Sequence, residues 1–242
     1  MKKKILLTND DGSESVYTKL LSQYLKHYYD VFEFIPQNNQ SGLSGSLSRV
    51  PIKIDKISTN KYILSGTPVE CVIFGVELMK QYLSTLPTII ISGPNNGLNY
   101  GKTSFYSGTF MAANEGFQSS INSISISIQG NFDANFFKWL SGLIFLIESV
   151  GKLDGLLNIN INNGNNNVDK FDVIRERNII EHNFSLFELS KVNLQFQFNK
   201  KDIDDSNKPS FISVAYYFDS NSENKEKKLI NLIKKYIRRK NF

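Results

Sequence analysis

Short apolar runs alternate with segments of helical apolar spacing along the first 150 residues, the rhythm of a wound α/β fold. The first run, Ile5-Leu6-Leu7, stops at Thr8 and empties into a polar turn, Asn9-Asp10-Asp11-Gly12. Val16, Leu20, Leu21, Tyr24, Leu25 and Tyr28 then recur at the spacing of an amphipathic helix. Val31–Ile35 reads as a second strand ended by Pro36, so the opening is a β-α-β unit with parallel strands. Pro51–Ile57 and Tyr62–Leu64 read as a hairpin leaving the sheet. Thr67 as N-cap and Pro68 in the first turn open a helix running through Met79. The β-branched run Thr88–Ser92 predicts a buried parallel strand, and Ser107-Gly108-Thr109 opens a further helix through Phe117. A strand over Ser123–Ile128 and a mostly apolar helix over Phe136–Val150 complete the pattern.

Beyond Gly151 the rhythm changes. Leu156–Ile161, Val192–Phe198 and Ile212–Tyr217 are strand candidates, Asn162–Asn167 is an Asn-rich loop, and a helix covers about Asn224–Lys240. The expected architecture is a Rossmann-like, three-layer α/β core with a mostly parallel sheet over 1–150. Residues 151–242 form a β-rich and helical extension. The terminal helix carries Leu229, Ile230, Ile233, Tyr236 and Ile237 on one side, and Lys227, Lys228, Lys234, Lys235, Arg238, Arg239 and Lys240 elsewhere. The default for such a helix is a docked apolar face with a solvated basic one, with polyanion attraction as the minority reading.

A net charge of +5 over 242 residues permits an anionic partner without requiring one. Cys71 is the single cysteine, so an internal disulfide is excluded and a reducing cytoplasm is the expected home. The Lys2-Lys3-Lys4 start is followed by too short an apolar run for a signal peptide, and Trp139–Ile147 is too short to span a bilayer. No membrane association is expected, and nucleic acid is not expected as a partner.

Three polar loops follow parallel strands: Asn9–Gly12, Asn38–Ser48 and Gly93–Ser107. Open α/β sheets bind ligands at this edge. Adjacent aspartates before a glycine read alone as turn chemistry, but paired carboxylates also call for a cation to relieve their repulsion. The loops offer carboxylates, hydroxyls and amides without histidine or thiol, a donor set for Mg²⁺, Mn²⁺ or Ca²⁺ rather than zinc or copper. A helix opening near Ser107 turns backbone N–H groups toward the same edge and favours a phosphate. A hard cation beside a phosphate cradle implies phosphoryl transfer to water.

With T-N-D-D-G at 8–12, N-Q-S-G-L-S-G-S-L-S at 39–48, G-T-P-V-E-C-V at 66–72, S-G-P-N-N-G-L-N-Y-G at 92–101 and Y-S-G-T-F-M-A-A-N-E-G at 106–116, the chain resembles the SurE-type 5'-nucleotidases. A weaker likeness continues in L-L-N-I-N at 156–160. The resemblance implies a divalent-metal-dependent phosphomonoesterase acting on nucleoside monophosphates, with 3'-nucleotidase and short-chain polyphosphatase activity as further options. It also implies a homodimer or homotetramer, with residues 151–242 making the contacts between subunits. The implied metal ligands are Asp10, Asp11, Ser41 and Asn95, holding one Mg²⁺ or Mn²⁺ per subunit. The implied substrate and phosphate contacts are Asn9, Gly42, Asn99, Ser107, Gly108 and Thr109. Either Asp10 or Asp11 accepts the proton of the attacking water, with Asp11 the preferred choice.

Two positions depart from the family pattern: Thr103 replaces an acidic residue and Pro94 replaces an isoleucine. These keep open a catalytically inactive nucleotide- or polyanion-binding homologue. Gly97–Thr103 also ends like a P-loop, one residue short of the required spacing, which leaves a P-loop-like NTPase as a distant alternative. Asp10-Asp11 with Lys208-Pro209 superficially matches a phosphoacceptor receiver domain, although that lysine lies beyond the size of a receiver unit.

Overall fold

In chain order the elements are β1 (Lys4–Thr8), α1 (Val16–Leu25), β2 (Asp30–Pro36), β3 (Ile54–Ser58), β4 (Lys61–Leu64), α2 (Pro68–Leu83) and β5 (Ile90–Asn96). A 3-10 helix (Gly101–Tyr106) leads into α3 (Gly108–Gln118), β6 (Ser123–Gln129), α4 (Ala134–Ser149), β7 (Gly155–Asn162), β8 (Asp172–Arg175), β9 (Phe211–Phe218) and α5 (Glu223–Arg239). These come from a computed structural model that describes residues 2–151, 155–163, 172–175, 211–218 and 223–239. The expected strand Val192–Phe198, most of the Asn-rich loop, His182 and Lys208-Pro209 lie outside the described residues.

The described strands form one sheet in the order β3-β4-β2-β1-β5-β6-β7-β9-β8. From β4 to β7 every neighbouring pair is parallel, while β3 and β9 run antiparallel to β4 and β7. The chain builds outward from β1 through β2, then returns to β5 on the other side of β1 and continues outward through β6 and β7. The order therefore reverses between β1 and β5, and a crevice opens beyond their carboxyl ends, where open α/β sheets take ligands.

Strand alternation divides the core into three layers. Ile5, Leu7, Ile89, Ile91, Ile124, Ile126, Leu157 and Ile159 belong to a cluster with residues of α1, α4 and α5. Leu6, Phe34, Leu64 and Ile90 pack with Cys71, Val72 and Met79 of α2 on the opposite face. That second face turns polar along β6 and β7, where Ser123, Ser125, Ser127, Asn158, Asn160 and Asn162 are all buried. In α5, Leu229, Ile230 and Ile233 are buried, Lys227, Lys228 and Lys235 are exposed, and the Tyr236 hydroxyl donates to the Trp139 carbonyl at 3.3 Å. The terminal helix is docked, as its apolar spacing predicts.

Three expectations need correction. The β3–β4 hairpin extends the sheet instead of leaving it. β4 supplies the backbone partners that the outer side of β2 would otherwise lack, with Glu33 opposite Lys61 and the Phe34 and Tyr62 rings stacked at 5.0 Å. β5 runs beyond the expected Ser92 to Asn96, through a cis Gly93–Pro94 peptide and a register shift between Ser92 and Asn95. Such a bulge re-aims the side chains that follow it. β8 was not anticipated, because four residues, Asp-Val-Ile-Arg, are too few to show a period.

Glu70 controls how α2 joins the loop after β2. Thr67 and Glu70 form a reciprocal capping box, in which Thr67 N donates to Glu70 Oε2 at 2.8 Å and Glu70 N to Thr67 Oγ1 at 3.3 Å. Ser48 also donates to the same carboxylate, through its backbone N and through Oγ at 2.8 Å. Burial pushes the Glu70 carboxyl up, but these donors outweigh it and hold the group below its ordinary value. Glu70→Ala is expected to lower unfolding stability by about 2 kcal/mol in urea titration. It should also speed proteolytic cutting within residues 37–48 before any global unfolding.

Candidate active site

Asp10 and Asp11 lie just past the end of β1, where the turn is shaped by its neighbours. The Asn9 side chain donates to Gly12 O at 2.9 Å and Thr18 Oγ1 at 2.8 Å, and accepts from Gly12 N at 3.2 Å. This Asx-type turn directs Asn9 into the protein as a scaffold for the two carboxylates. Gly12 has φ +89, and a Cβ there would lie 2.8 Å from the Asn38 carbonyl carbon, so only glycine lets the β1 turn meet the loop after β2.

Asp10 is held by the start of α3. Thr109 Oγ1 donates to Asp10 Oδ1 at 2.6 Å and Thr109 N to Asp10 Oδ2 at 3.3 Å. Ser107 caps α3 by accepting from Phe110 N at 3.2 Å. Gly108 permits the close approach: a Cβ there would stand 3.2 Å from Asp10 Cβ. The positive end of the α3 dipole therefore faces a carboxylate. Burial still pushes the Asp10 carboxyl up, and the Thr109 hydrogen bonds oppose that rise.

Asp11 is less enclosed. Burial, then the Asp10 charge beside it, push its carboxyl from 3.8 up to about 6, against the pull of the Asn96 backbone N–H, which donates to Asp11 Oδ2 at 3.2 Å. That bond joins β5 to the β1 turn directly across the crevice. The third loop is joined through Gln40 N, which donates to Asp10 O at 2.7 Å. Ser41 follows it, exposed, with its backbone N donating to Asn39 Oδ1 at 2.8 Å, and Gly42 lies beyond at φ +79. The loop after β2 is also tied to the 3-10 helix, because Ser44 Oγ donates to Phe105 O at 2.7 Å.

Asn95 is buried just after the β5 bulge, beside Asn96. Asn99 sits four residues on, held by several bonds. Its backbone N donates to Asn160 Oδ1 at 2.6 Å, its Nδ2 donates to Ser127 Oγ at 2.9 Å, and its carbonyl accepts from Asn158 and Asn160. These β7 asparagines fall in the L-L-N-I-N likeness at 156–160, to which the sequence alone assigns no role. The available signal was polar residues alternating with aliphatics in a strand placed at the centre of the sheet, where both faces are covered. Lys102 and Thr103 lie in a 3-10 helix rather than at the start of an α-helix, and the Thr103 hydroxyl donates to Tyr100 O at 2.7 Å. His27 is exposed, and Cys71 is buried with its thiol pushed up by burial, so neither takes part.

The donor set fits a hard divalent cation. Asp10 and Asp11 are desolvated neighbours, and the ion pairs among the described residues all lie elsewhere. Among the described residues, no three His, Cys, Asp or Glu side chains gather as a metal cluster. A cation here would therefore draw its remaining ligands from neutral oxygens such as Ser41 and Asn95. The start of α3 offers an anion site on the same side.

The family model for survival protein SurE matches residues 5–181. A 5'-nucleotidase SurE of Vibrio cholerae serotype O1 is 39% identical over 132 residues, covering 54% of this chain and 49% of the relative. A 5'/3'-nucleotidase SurE of Wigglesworthia glossinidia brevipalpis is 37% identical over 164 residues, covering 65% and 63%. The chain thus spans about half to two thirds of the length of these curated relatives. The crystal structure of a SurE protein from Aquifex aeolicus superposes with a TM-score of 0.70 at 26% identity, covering 95% of this chain and 99% of that one.

The carboxylate pair makes stability depend on pH and on cations. Asp11 is protonated in both folded and unfolded chains below about pH 4, so it carries no penalty there. As pH rises through about 6 the folded chain must ionise it against burial and Asp10, and that stability is lost. Asp11→Asn should therefore stabilise the EDTA-treated protein by about 1 kcal/mol at pH 8, after discounting for solvent exposure, and leave it unchanged at pH 3.5. Saturating Mn²⁺ should raise the Tm of the parent protein more than that of the variant. Thr109→Val removes the donor to Asp10 Oδ1, and should shift the pH at which Mn²⁺ binding is half lost upward, as read by titration calorimetry.

Proposed function

Since the chain belongs to the SurE family, we propose that it is a divalent-metal-dependent 5'-nucleotidase that hydrolyses nucleoside monophosphates to nucleoside and phosphate. The observation that carries this reading is the carboxylate pair, Asp10 held by the start of α3 and Asp11 by the end of β5, at the point where strand order reverses between β1 and β5. Asp10, Asp11, Ser41 and Asn95 would hold one Mg²⁺ or Mn²⁺. When bound, the cation supplies Lewis-acid activation of water and neutralises charge on the phosphoryl oxygens.

The remaining chemistry falls to the chain itself. The substrate phosphate sits at the start of α3, where the helix dipole and the first-turn N–H of Gly108 favour negative charge, the Thr109 N–H being engaged by Asp10. Asn99 Nδ2 carries two hydrogens, one of which goes to Ser127, and the second is offered to a phosphate oxygen. Asp11 takes the proton of the attacking water at Oδ1, the oxygen with no donor among the described residues. Water oxygen bonds to phosphorus as the bond to the nucleoside oxygen breaks, and that oxygen takes a proton from solvent while Asp11 returns the one it took, so nucleoside and phosphate leave. Asp10, fixed by Thr109 through both oxygens, keeps its orientation throughout.

We place the enzyme in the cytoplasm as a homodimer or homotetramer, consistent with its single buried cysteine. Among the described residues no helix is long and apolar enough to cross a membrane. Activity on 3'-monophosphates and on short polyphosphate is part of the same proposal, since phosphate recognition by backbone N–H groups leaves the leaving group unread. Phosphate release from a panel of nucleoside monophosphates with Mg²⁺, Mn²⁺ or EDTA tests it. The expected result is release that EDTA abolishes and that Asp10→Asn lowers by about a thousandfold. Metal-independent release would refute the reading, and binding without release would leave the inactive homologue in its place.

A further inference from the structure

Three donors converge on a single backbone carbonyl, that of Asn99: Asn158 Nδ2 at 2.8 Å, Asn160 Nδ2 at 3.0 Å and Ser104 Oγ at 3.2 Å. A carbonyl oxygen has two lone pairs, so this is one donor more than it needs. Asn160 does more than donate. Its Oδ1 accepts from the Asn99 N–H at 2.6 Å, so one primary amide reads both polar groups of one peptide residue, as a neighbouring strand would. Ser127, the register partner of Asn160 on β6, accepts from Asn99 Nδ2.

The segment has bonds of its own, from Asn95 Nδ2 to Gly97 O and from Thr103 Oγ1 to Tyr100 O, but they lie on either side of Asn99, whose N–H and side-chain amide go to the strands beneath. It leaves β5 after the bulge, and two glycines flank Asn99 in the left-handed region, Gly97 at φ +122 and Gly101 at φ +61. Glycine at such positions lets a loop adopt many conformations rather than selecting one. The asparagines that select one are fully buried in β7, a strand paired on both sides by β6 and β9. Burying an amide on a fully covered strand is costly unless every polar group finds a partner. Asn158 finds Asn99 and, through its Oδ1, the Ser125 hydroxyl at 2.7 Å.

We infer that Asn160, seconded by Asn158, is a positioning residue for the anion-binding loop. It sets the place of Asn99 relative to the start of α3 and thereby the affinity for phosphate, while leaving the cation donors to β5 and the loops after β1 and β2. This rests on the phosphate role proposed for Asn99. Asn160 is distinct from that role, because its amide touches the Asn99 backbone alone among the described contacts. The selectivity follows from geometry. Asn95 and Asn96 are paired in the β5–β6 ladder, with Asn95 opposite Ser127 and Asn96 opposite Ile128, so they keep their places when the Asn160 amide is removed.

The test uses the full chain with Asn160→Leu, similar in size and uncharged, and Asn160→Ser, which removes the amide without adding apolar bulk. Four readouts are compared with the parent: Asn99 amide exchange, inorganic phosphate affinity by calorimetry with Mn²⁺ present, Mn²⁺ affinity alone, and KM and kcat for a nucleoside monophosphate. The expected result is Asn99 exchange and phosphate dissociation constant each raised about tenfold or more, with KM rising in parallel and Mn²⁺ affinity within about twofold of the parent. Unchanged phosphate affinity and exchange overturn the inference. So does an equal fall in phosphate and Mn²⁺ affinity, or loss of fold in both variants, because either would make Asn160 a general structural residue. If the parent binds phosphate with a protected Asn99 amide yet turns over no substrate, the nucleotidase reading fails and the positioning role stands.

Discussion

Two carboxylates placed side by side and partly out of water are the constraint from which the rest of the site follows. Burial raises both, and the charge of Asp10 raises Asp11 further. A pair of this kind is stable in ionised form only when positive potential is supplied from outside the turn. The chain supplies it in fixed amounts, through the start of α3 at Asp10 and one backbone N–H from Asn96 at Asp11. Neither neutralises a full charge. What remains is uncompensated negative charge, at a point that the loop after β2 reaches through Gln40 N and β5 through Asn96 N.

The sheet makes that gathering possible through its order. Because the chain reverses direction of growth between β1 and β5, the loops after these strands splay to opposite faces and leave a crevice. The loop after β2 reaches the same edge through Gln40 and is pinned at its far end by the Glu70 carboxylate. α3 then approaches from the polar face, and Gly108 allows it to touch Asp10. A glycine at 12 and another at 108 are thus close-approach residues, and the donors around them depend on there being no Cβ in the way.

Most of the fold was legible because its elements are long and periodic. The strands β1, β2, β5, β6 and β7 and the five α-helices among the described residues follow from apolar runs, apolar spacing and cap residues, and the capping box at Thr67 and Glu70 is written in T-P-V-E. What escaped was set by tertiary context. The β3–β4 hairpin could not be placed from its own residues, since its position depends on the free edge of β2. The extension of β5 through Gly93-Pro94 runs against the usual reading of that dipeptide as a stop. At the site, the residues were visible as a set of motifs, but their division of labour was not. Asn9 turns inward to shape its turn, and the Thr109 hydroxyl is occupied by Asp10. The second pairing spans 99 residues, too far for spacing to reveal it.

The two departures from the family pattern fall on shape rather than on donors. Thr103 closes its hydroxyl on the Tyr100 carbonyl within one turn of 3-10 helix, a bond that an acidic side chain could not donate at neutral pH. The substitution therefore changes what stiffens the segment between Asn99 and Ser107, and leaves both of those residues in place. Pro94 sits within the β5 bulge, where the ladder is already interrupted, so the lost N–H removes no regular strand bond. With local stiffness altered at these two points, more of the loop's definition rests on contacts from outside it. Those contacts come from Ser127, Asn158 and Asn160, which are anchored in the centre of the sheet and independent of the loop's own sequence. A loop held from beneath in this way can vary along its length while the groups at its two ends keep their places.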